Sequence, residues 1–127
     1  ELLKPTKIYA QPILHILKKF RMKGMAHITG GGIYGNLKRI VPEGFVAHLR
    51  IKKESIPHIF TLLKDIGGLS YEEMFSTFNM GTGFIIVARN EDEGQIIESL
   101  SLWGEKAYIL GYIEETESKE RVRVSVY

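Results

Sequence analysis

The 127-residue sequence predicts an α/β (α+β) fold, one domain over residues 1–127 in which a single mixed β-sheet carries packed helices. Three observations lead there. Apolar helical faces alternate with short apolar runs along most of the chain. Glycine or proline punctuates most of the transitions between them. The last two apolar segments, 107–113 and 122–126, flank a polar stretch and read as a hairpin, so the sheet is mixed.

Each element has its own signal. Pro12 suits a first helical turn, and Ile13, Leu14, Leu17 and Phe20 give that helix an apolar face before Gly24 stops it. Residues 25–29 read as a short strand that runs into Gly30, Gly31 and Gly32, a turn few other residue types would make. A short helix follows to about Arg39, ahead of Pro42. Residues 45–51 form the next strand. Ser55 is placed to cap a helix with Pro57 in its first turn, a buried face of Ile56, Ile59, Phe60, Leu63 and Ile66, and a stop at Gly67-Gly68. Ser70-x-x-Glu73 is a capping box for another short helix. A glycine-rich turn over 79–83 leads into 84–88, apolar enough for a central strand. Asn90-x-x-Glu93 repeats the capping pattern ahead of Ile96, Ile97, Leu100 and Trp103, and Gly104 ends that helix. Val122, Val124 and Val126 alternate with polar residues, as in a half-buried strand.

Composition removes several classes of function. The absence of cysteine rules out disulfides, CxxC zinc sites and cysteine nucleophiles. A net charge of +2 is too weak to argue for nucleic acid. The densest basic stretch, Lys18, Lys19, Arg21 and Lys23, reads as a solvated helix end where cations suit the dipole. No apolar run approaches the roughly 20 residues of a membrane span, and no signal peptide is visible. Neither nucleic acid nor membrane is therefore expected as a partner, and a cytoplasmic location is. His15, His27, His48 and His58 lack metal-ligand spacing, so no metal ligands are expected here. The chain opens on Glu1, inside what already reads as folded sequence, which suggests a piece of a longer protein.

The strongest local signal runs from Gly24 through His27 and Thr29 to Gly32. A strand delivers three glycines to a helix start, where successive backbone N–H groups can converge on a phosphate. Thr29 adds a hydroxyl, and His27 can donate to an oxyanion or shuttle a proton. The plainer alternative is a sharp turn under a packed helix with a structural histidine. Gly30-x-Gly32-x-x-Gly35 also matches the dinucleotide-binding fingerprint, but weakly. Pro42 leaves only a stub of helix, the nearest downstream acid is Glu54, and the repeated parallel frame is missing. There is no GxxxxGK[ST], HExxH or GxSxG. A second region, Thr77–Gly83, sets Asn79 and Gly81 before an apolar strand, as a ligand-approaching turn or plain turn chemistry.

At these residues the chain resembles the C-terminal domain of the phosphoribosylformylglycinamidine cyclo-ligases, also called aminoimidazole ribonucleotide synthetases. The resemblance rests on Pro5-Thr6-Lys7-Ile8-Tyr9, Gly24-Met25-Ala26-His27-Ile28-Thr29-Gly30-Gly31-Gly32, Asn36-Leu37-x-Arg39, Val41-Pro42-Glu43-Gly44 and Glu73-Met74-Phe75-x-Thr77-Phe78-Asn79-Met80-Gly81-x-Gly83. They stand in the family's order and spacing and cover the chain to about Tyr112. Relatives such as the formylglycinamidine ribonucleotide amidotransferase usually carry an acid where this chain has His27. An amidotransferase-like domain and a non-catalytic ligand-binding domain are the alternatives. Lys7, Gly35 and Ser76 depart from the family's usual residues.

The resemblance implies an ATP-dependent ligase of purine biosynthesis. ATP phosphorylates the formyl oxygen of formylglycinamidine ribonucleotide, an internal nitrogen closes the imidazole ring, and ADP and phosphate leave, with Mg2+ offsetting the triphosphate charge. It implies a homodimer of two-domain chains. The N-terminal domain, absent from this sequence, would hold most nucleotide and metal contacts, and these residues would form the C-terminal half, inactive alone. It places Gly30, Gly31 and Gly32 against phosphate, Thr29 and Asn36 on the cleft wall, Arg39 as a phosphate partner or a helix tie, His27 in positioning or proton handling, and Asn79 and Gly81 on a second turn.

Overall fold

The structure, a computed structural model, describes residues 3–127. In chain order they form α1 (Ala10–Leu17), β1 (Gly24–His27), α2 (Gly32–Leu37), β2 (Phe45–Ile51), α3 (His58–Gly67), α4 (Tyr71–Thr77), β3 (Phe84–Val87), α5 (Glu93–Leu102), β4 (Gly111–Glu115) and β5 (Val122–Val126). Short 3-10 turns precede α3 and α5. The residues group into two compact units, one of residues up to Met25 with Ile86–Ile109, the other of Ala26–Ile85 with Leu110–Tyr127.

In the first unit α1 packs on α5. Ile16 has no exposed surface and meets Ile96 and Leu100, with Ile13, Phe20, Met22, Ile86, Ala88 and Ala107 around them. The apolar face of α1 is therefore Pro12, Ile13 and Ile16; Leu14 and Leu17 fall off that stripe and stay largely exposed. Trp103 follows α5 and lies 5.3 Å from the His15 ring, tilted against it. Lys7 Nζ sits 2.6 Å from Glu105 Oε2, and this bond to the carboxylate raises the pKa of the lysine.

The second unit is organised by β2. It is long, mostly apolar, buried at four of its seven positions and partly buried at the rest except Arg50. Such a strand loses least by being central, with a neighbour on each edge. β4 pairs with it antiparallel (Ala47 opposite Ile113) and β5 parallel (Ala47 opposite Val122). The fold is thus α+β with a mixed sheet, as expected, with three corrections to its details. The strands form two sheets, β1-β3 and β4-β2-β5, instead of one. The last two strands are not a hairpin, because β2 lies between them. β3 is not central, because β1 is its partner in a sheet of two; its apolar side chains serve packing, Ile85 among them.

Alternation places Ala47, Leu49 and Ile51 of β2 and Val122, Val124 and Val126 of β5 on one face. That face meets Ile28, Ile33, Leu37, Val41, Met74, Phe75 and Met80 in the larger core.

The helix starts show which signals were decisive. Ser70 and Glu73 form the expected capping box at α4: Ser70 N–H and Oγ donate to Glu73 Oε2, both 2.8 Å, and Glu73 N–H donates to Ser70 Oγ at 3.2 Å. Ser55 does not cap α3, because its hydroxyl donates to Lys52 O within a 3-10 turn and Pro57 takes the position before the helix. Asn90 and Glu93 form no box. Asn90 opens a 3-10 turn, and Arg89 holds Asp92 through Nε at 3.0 Å. On α3, Ile66 is exposed; Phe60 and Leu63 pack, partly buried, on the core.

The capping box makes α4 acid-sensitive. Its backbone and hydroxyl donors lower the Glu73 pKa from the ordinary value near 4.5. The stabilisation is therefore present above that value and is lost as pH falls through the lower folded-state pKa. Ser70→Ala is expected to cost about 1 kcal/mol at neutral pH. The difference between wild type and Glu73→Gln should shrink as thermal unfolding is repeated from pH 7 down to pH values below the ordinary carboxylate range.

Candidate functional site

Both glycine turns singled out in the sequence lie in the second unit, and they converge. Beyond the end of β1, Ile28 N–H donates to Gly83 O at 2.9 Å. The His27 ring stacks on Phe84 at the start of β3, centroids 6.0 Å apart and planes 24° apart. The turn after β1 and the turn before β3 therefore sit at one end of that strand pair.

The three glycines do different work. Gly32 N–H donates to Thr29 O at 3.0 Å, closing the turn, and Gly31 and Gly32 take positive φ, +89° and +57°. A Cβ on Gly32 would lie 2.1 Å from Phe75 O and 2.9 Å from Phe78 O, so α2 starts hard against the end of α4. Gly32 is buried by this packing. Gly30 and Gly31 are exposed, and the space beside Gly30 is open for 4 Å. Of the triplet, only the first two leave their backbone exposed.

Asn36 is 6% exposed. Its Nδ2 lies 2.7 Å from Gly32 O and 3.3 Å from both Thr29 O and Gly30 O. Its amide nitrogen is thus directed at the turn itself, not at a cleft. His27, Thr29 and Arg39 are exposed, with Arg39 just beyond α2. Tyr34 of α2 is half buried, and burial raises its pKa against the opposing influence of the Val124 N–H of β5. The sequence reading passed over Tyr34. An aromatic in a six-residue helix so rich in glycine was the available signal.

The second turn is also tightly made. Thr82 N–H donates to Asn79 O at 2.9 Å across Met80 and Gly81, both with positive φ, +51° and +89°. Asn79 Oδ1 accepts from Gly81 N–H at 3.0 Å. A Cβ on Gly81 would stand 2.5 Å from Pro57 Cδ, so this glycine serves close packing on the segment before α3. Met80 keeps its left-handed backbone because its side chain is sealed in the core.

Elsewhere in this unit the His48 ring stacks on Tyr112, with Nε2 buried and 2.7 Å from Glu114 Oε1 but without hydrogen-bond alignment. Among the described residues no three or more His, Asp or Glu side chains are grouped to hold a metal. No helix among them is long and apolar enough to cross a membrane. A shallow depression lined by Gly44, Phe45, Glu115, Thr116 and Glu117 includes none of the site residues read from the sequence.

Known proteins are similar to this chain over most of its length. The family described as AIR synthase related protein, C-terminal domain, matches residues 1–124. A protein of Syntrophus aciditrophicus named phosphoribosylformylglycinamidine cyclo-ligase is 42% identical over 120 residues, 94% of this chain and 35% of that protein. One of the same name from Bacillus mycoides is 47% identical over 112 residues, 88% of this chain and 32% of its own length. A third, from Clostridium kluyveri, is 43% identical over 118 residues, 93% of this chain and 35% of its own. The chain spans about a third of the length of these relatives.

Proposed function

The chain belongs to the AIR synthase related protein C-terminal domain family, and from that membership we propose that it works as the C-terminal half of a phosphoribosylformylglycinamidine cyclo-ligase. The parent enzyme then closes the imidazole ring of formylglycinamidine ribonucleotide at the expense of ATP, releasing ADP and phosphate. It acts in the cytoplasm as a homodimer whose N-terminal domains supply the dimer contact.

The observation that supports this most is the turn at Gly30 and Gly31, exposed backbone beside His27 and Thr29 at the end of a strand. Backbone N–H groups in such a turn suit a phosphate, and both substrates bear one. In this reading Gly30, Gly31 and Thr29 receive a substrate phosphate, with Arg39 within the same short helix-turn segment. His27, oriented by its stack on Phe84, positions a reacting group or handles its proton. Gly32 and Gly81 secure the packing of the two turns, and Asn79 braces the second. Mg2+ supplies charge neutralisation during phosphoryl transfer. The metal and most ATP contacts are assigned, as the resemblance implies, to the N-terminal domain of the parent.

The test is ADP release on formylglycinamidine ribonucleotide, with the full-length parent and this chain assayed side by side. The parent is expected to turn over and the isolated chain to show no activity above background. A parent inert on this substrate would sink the reading; turnover by the chain alone would sink its status as a dependent half.

A further inference from the structure

We propose that the first third of the chain is an electropositive collector for anionic substrates, acting at range through Lys18, Lys19, Arg21 and Lys23 without touching the bound molecule. This rests on the cyclo-ligase reading above, in which both substrates carry phosphate, and it brings in residues which that reading leaves unused.

Charge is divided along the chain in a way that the net value of +2 conceals. Residues 2–42 hold eight Lys and Arg and no Asp or Glu, whereas residues 43–127 hold nine cations and fourteen carboxylates. The structure keeps the two parts different. Lys18, Lys19, Arg21 and Lys23 are all exposed, and among the described residues none of them has an ion-pair partner. In the later part, Arg89, Arg121 and Arg123 are held by Asp92, Glu43 and Glu120 at 3.0, 2.8 and 2.6 Å, so their charge is offset where it stands.

Local structure does not account for the four free cations. Lys18 follows the last turn of α1 and suits the helix dipole, but that effect fades within a turn and does not reach Arg21 or Lys23. Phe20 and Met22 pack, partly buried, on Ile16, Ile96 and Leu100, while Lys19, Arg21 and Lys23 between them stay on the solvent side. Four like charges within six residues repel one another, and no contact in the fold offsets that repulsion. An anion arriving from outside does. The side chains are long and exposed and line no cavity, so they act through their field instead of as a fitted pocket. The range is sufficient. A domain of this length has a radius of gyration of about 14 Å. Charges are felt over about 30 Å at 0.01 M salt and about 10 Å at 0.1 M.

The experiment measures kcat and KM of the full-length parent for formylglycinamidine ribonucleotide and for ATP, from about 10 mM to about 0.5 M KCl. Three combined variants are compared with wild type. The first carries Lys18→Gln, Lys19→Gln, Arg21→Gln and Lys23→Gln. The second carries Lys52→Gln, Lys53→Gln, Lys106→Gln and Lys119→Gln, which removes the same charge at exposed positions that also have no ion-pair partner among the described residues. The third carries Lys18→Arg, Lys19→Arg, Arg21→Lys and Lys23→Arg, which keeps the charge. The first variant is expected to lose about tenfold in kcat/KM for both substrates at low salt, with kcat unchanged, and to meet wild type at high salt. The second should lose much less, and the third should match wild type throughout. Equal losses in the first and second variants would assign the effect to net charge alone and overturn the proposal. A loss that salt does not remove, or one shared by the third variant, would make these residues structural and overturn it too, as would no loss in the first. A wild-type parent without turnover at any salt concentration would bring down the functional reading and this inference together, an outcome separate from the others.

Discussion

Gly32→Ala is expected to be the most damaging small substitution in the chain, costing about 3 kcal/mol or more. Two contributions add. A non-glycine residue at φ +57° adopts the left-handed region at a cost of about 1 kcal/mol. The added methyl would also stand 2.1 Å from Phe75 O and 2.8 Å from Phe75 C, which are backbone atoms that no rotamer change can move. Relief requires α2 to move off α4, and both helices are anchored by core side chains, Ile33 and Leu37 on one side and Met74 and Phe75 on the other. In a domain of this size the melting temperature should fall by on the order of 10 °C. Gly30→Ala, on the same turn with open space beside it, should lower it far less. Equal losses at the two positions would refute the assignment of Gly32 to packing.

Gly111→Ala is the second large effect, and it acts on the sheet. Gly111 lies opposite Leu49 at the start of β4, where an added Cβ would come 1.8 Å from His48 O and 3.0 Å from Leu49 Cα. The two strands must part there. Because β4 is an edge strand with mostly exposed side chains, it can yield more easily than α2, and about 2 kcal/mol or more is expected. Hydrogen exchange distinguishes the cases. Gly111→Ala should lose protection first at Arg50 N–H, which donates to Leu110 O beside the substitution. Protection across β2 and β5 should survive. Uniform loss across the sheet would mean that the clash is not absorbed locally.

These two glycines also mark where the sequence was readable. Strand β2 was legible to the residue because its apolar run is bounded by Gly44 and a charged stretch after Ile51. The capping box at Ser70 was legible because every partner lies within four residues. The same signature at Asn90 misled, since Asn90–Asp92 form a 3-10 turn and Asp92, held by Arg89 at 3.0 Å, takes the position before α5. Local pattern shows that a strand exists but not which strand it pairs with, so the β4-β2-β5 order could not be read from Val122, Val124 and Val126. Gly111 inside an apolar strand was a signal for close backbone approach that went unused. At the site, the sequence located the turn but could not divide labour among Gly30, Gly31 and Gly32. That division depends on Phe75 and Phe78, more than 40 residues downstream of the turn. Nor could it show that Asn36 faces inward, since a polar residue on a short helix is equally at home in solvent.

The place of β2 has a consequence for how the chain is made. Its two ladder partners, 111–115 and 122–126, come last in the sequence. As the polypeptide leaves the ribosome, at roughly 5–20 residues per second, β2 therefore emerges several seconds before either neighbour exists. During that interval its most apolar residues and both rows of its backbone hydrogen-bonding groups have no native partner. A nascent chain arrested anywhere before Gly111 would display an unpaired strand with Val46, Leu49 and Ile51 uncovered, the kind of segment that chaperone holdases bind. Assembly of this sheet must wait until elongation has passed residue 126, and its vulnerable interval is set by the rate of elongation.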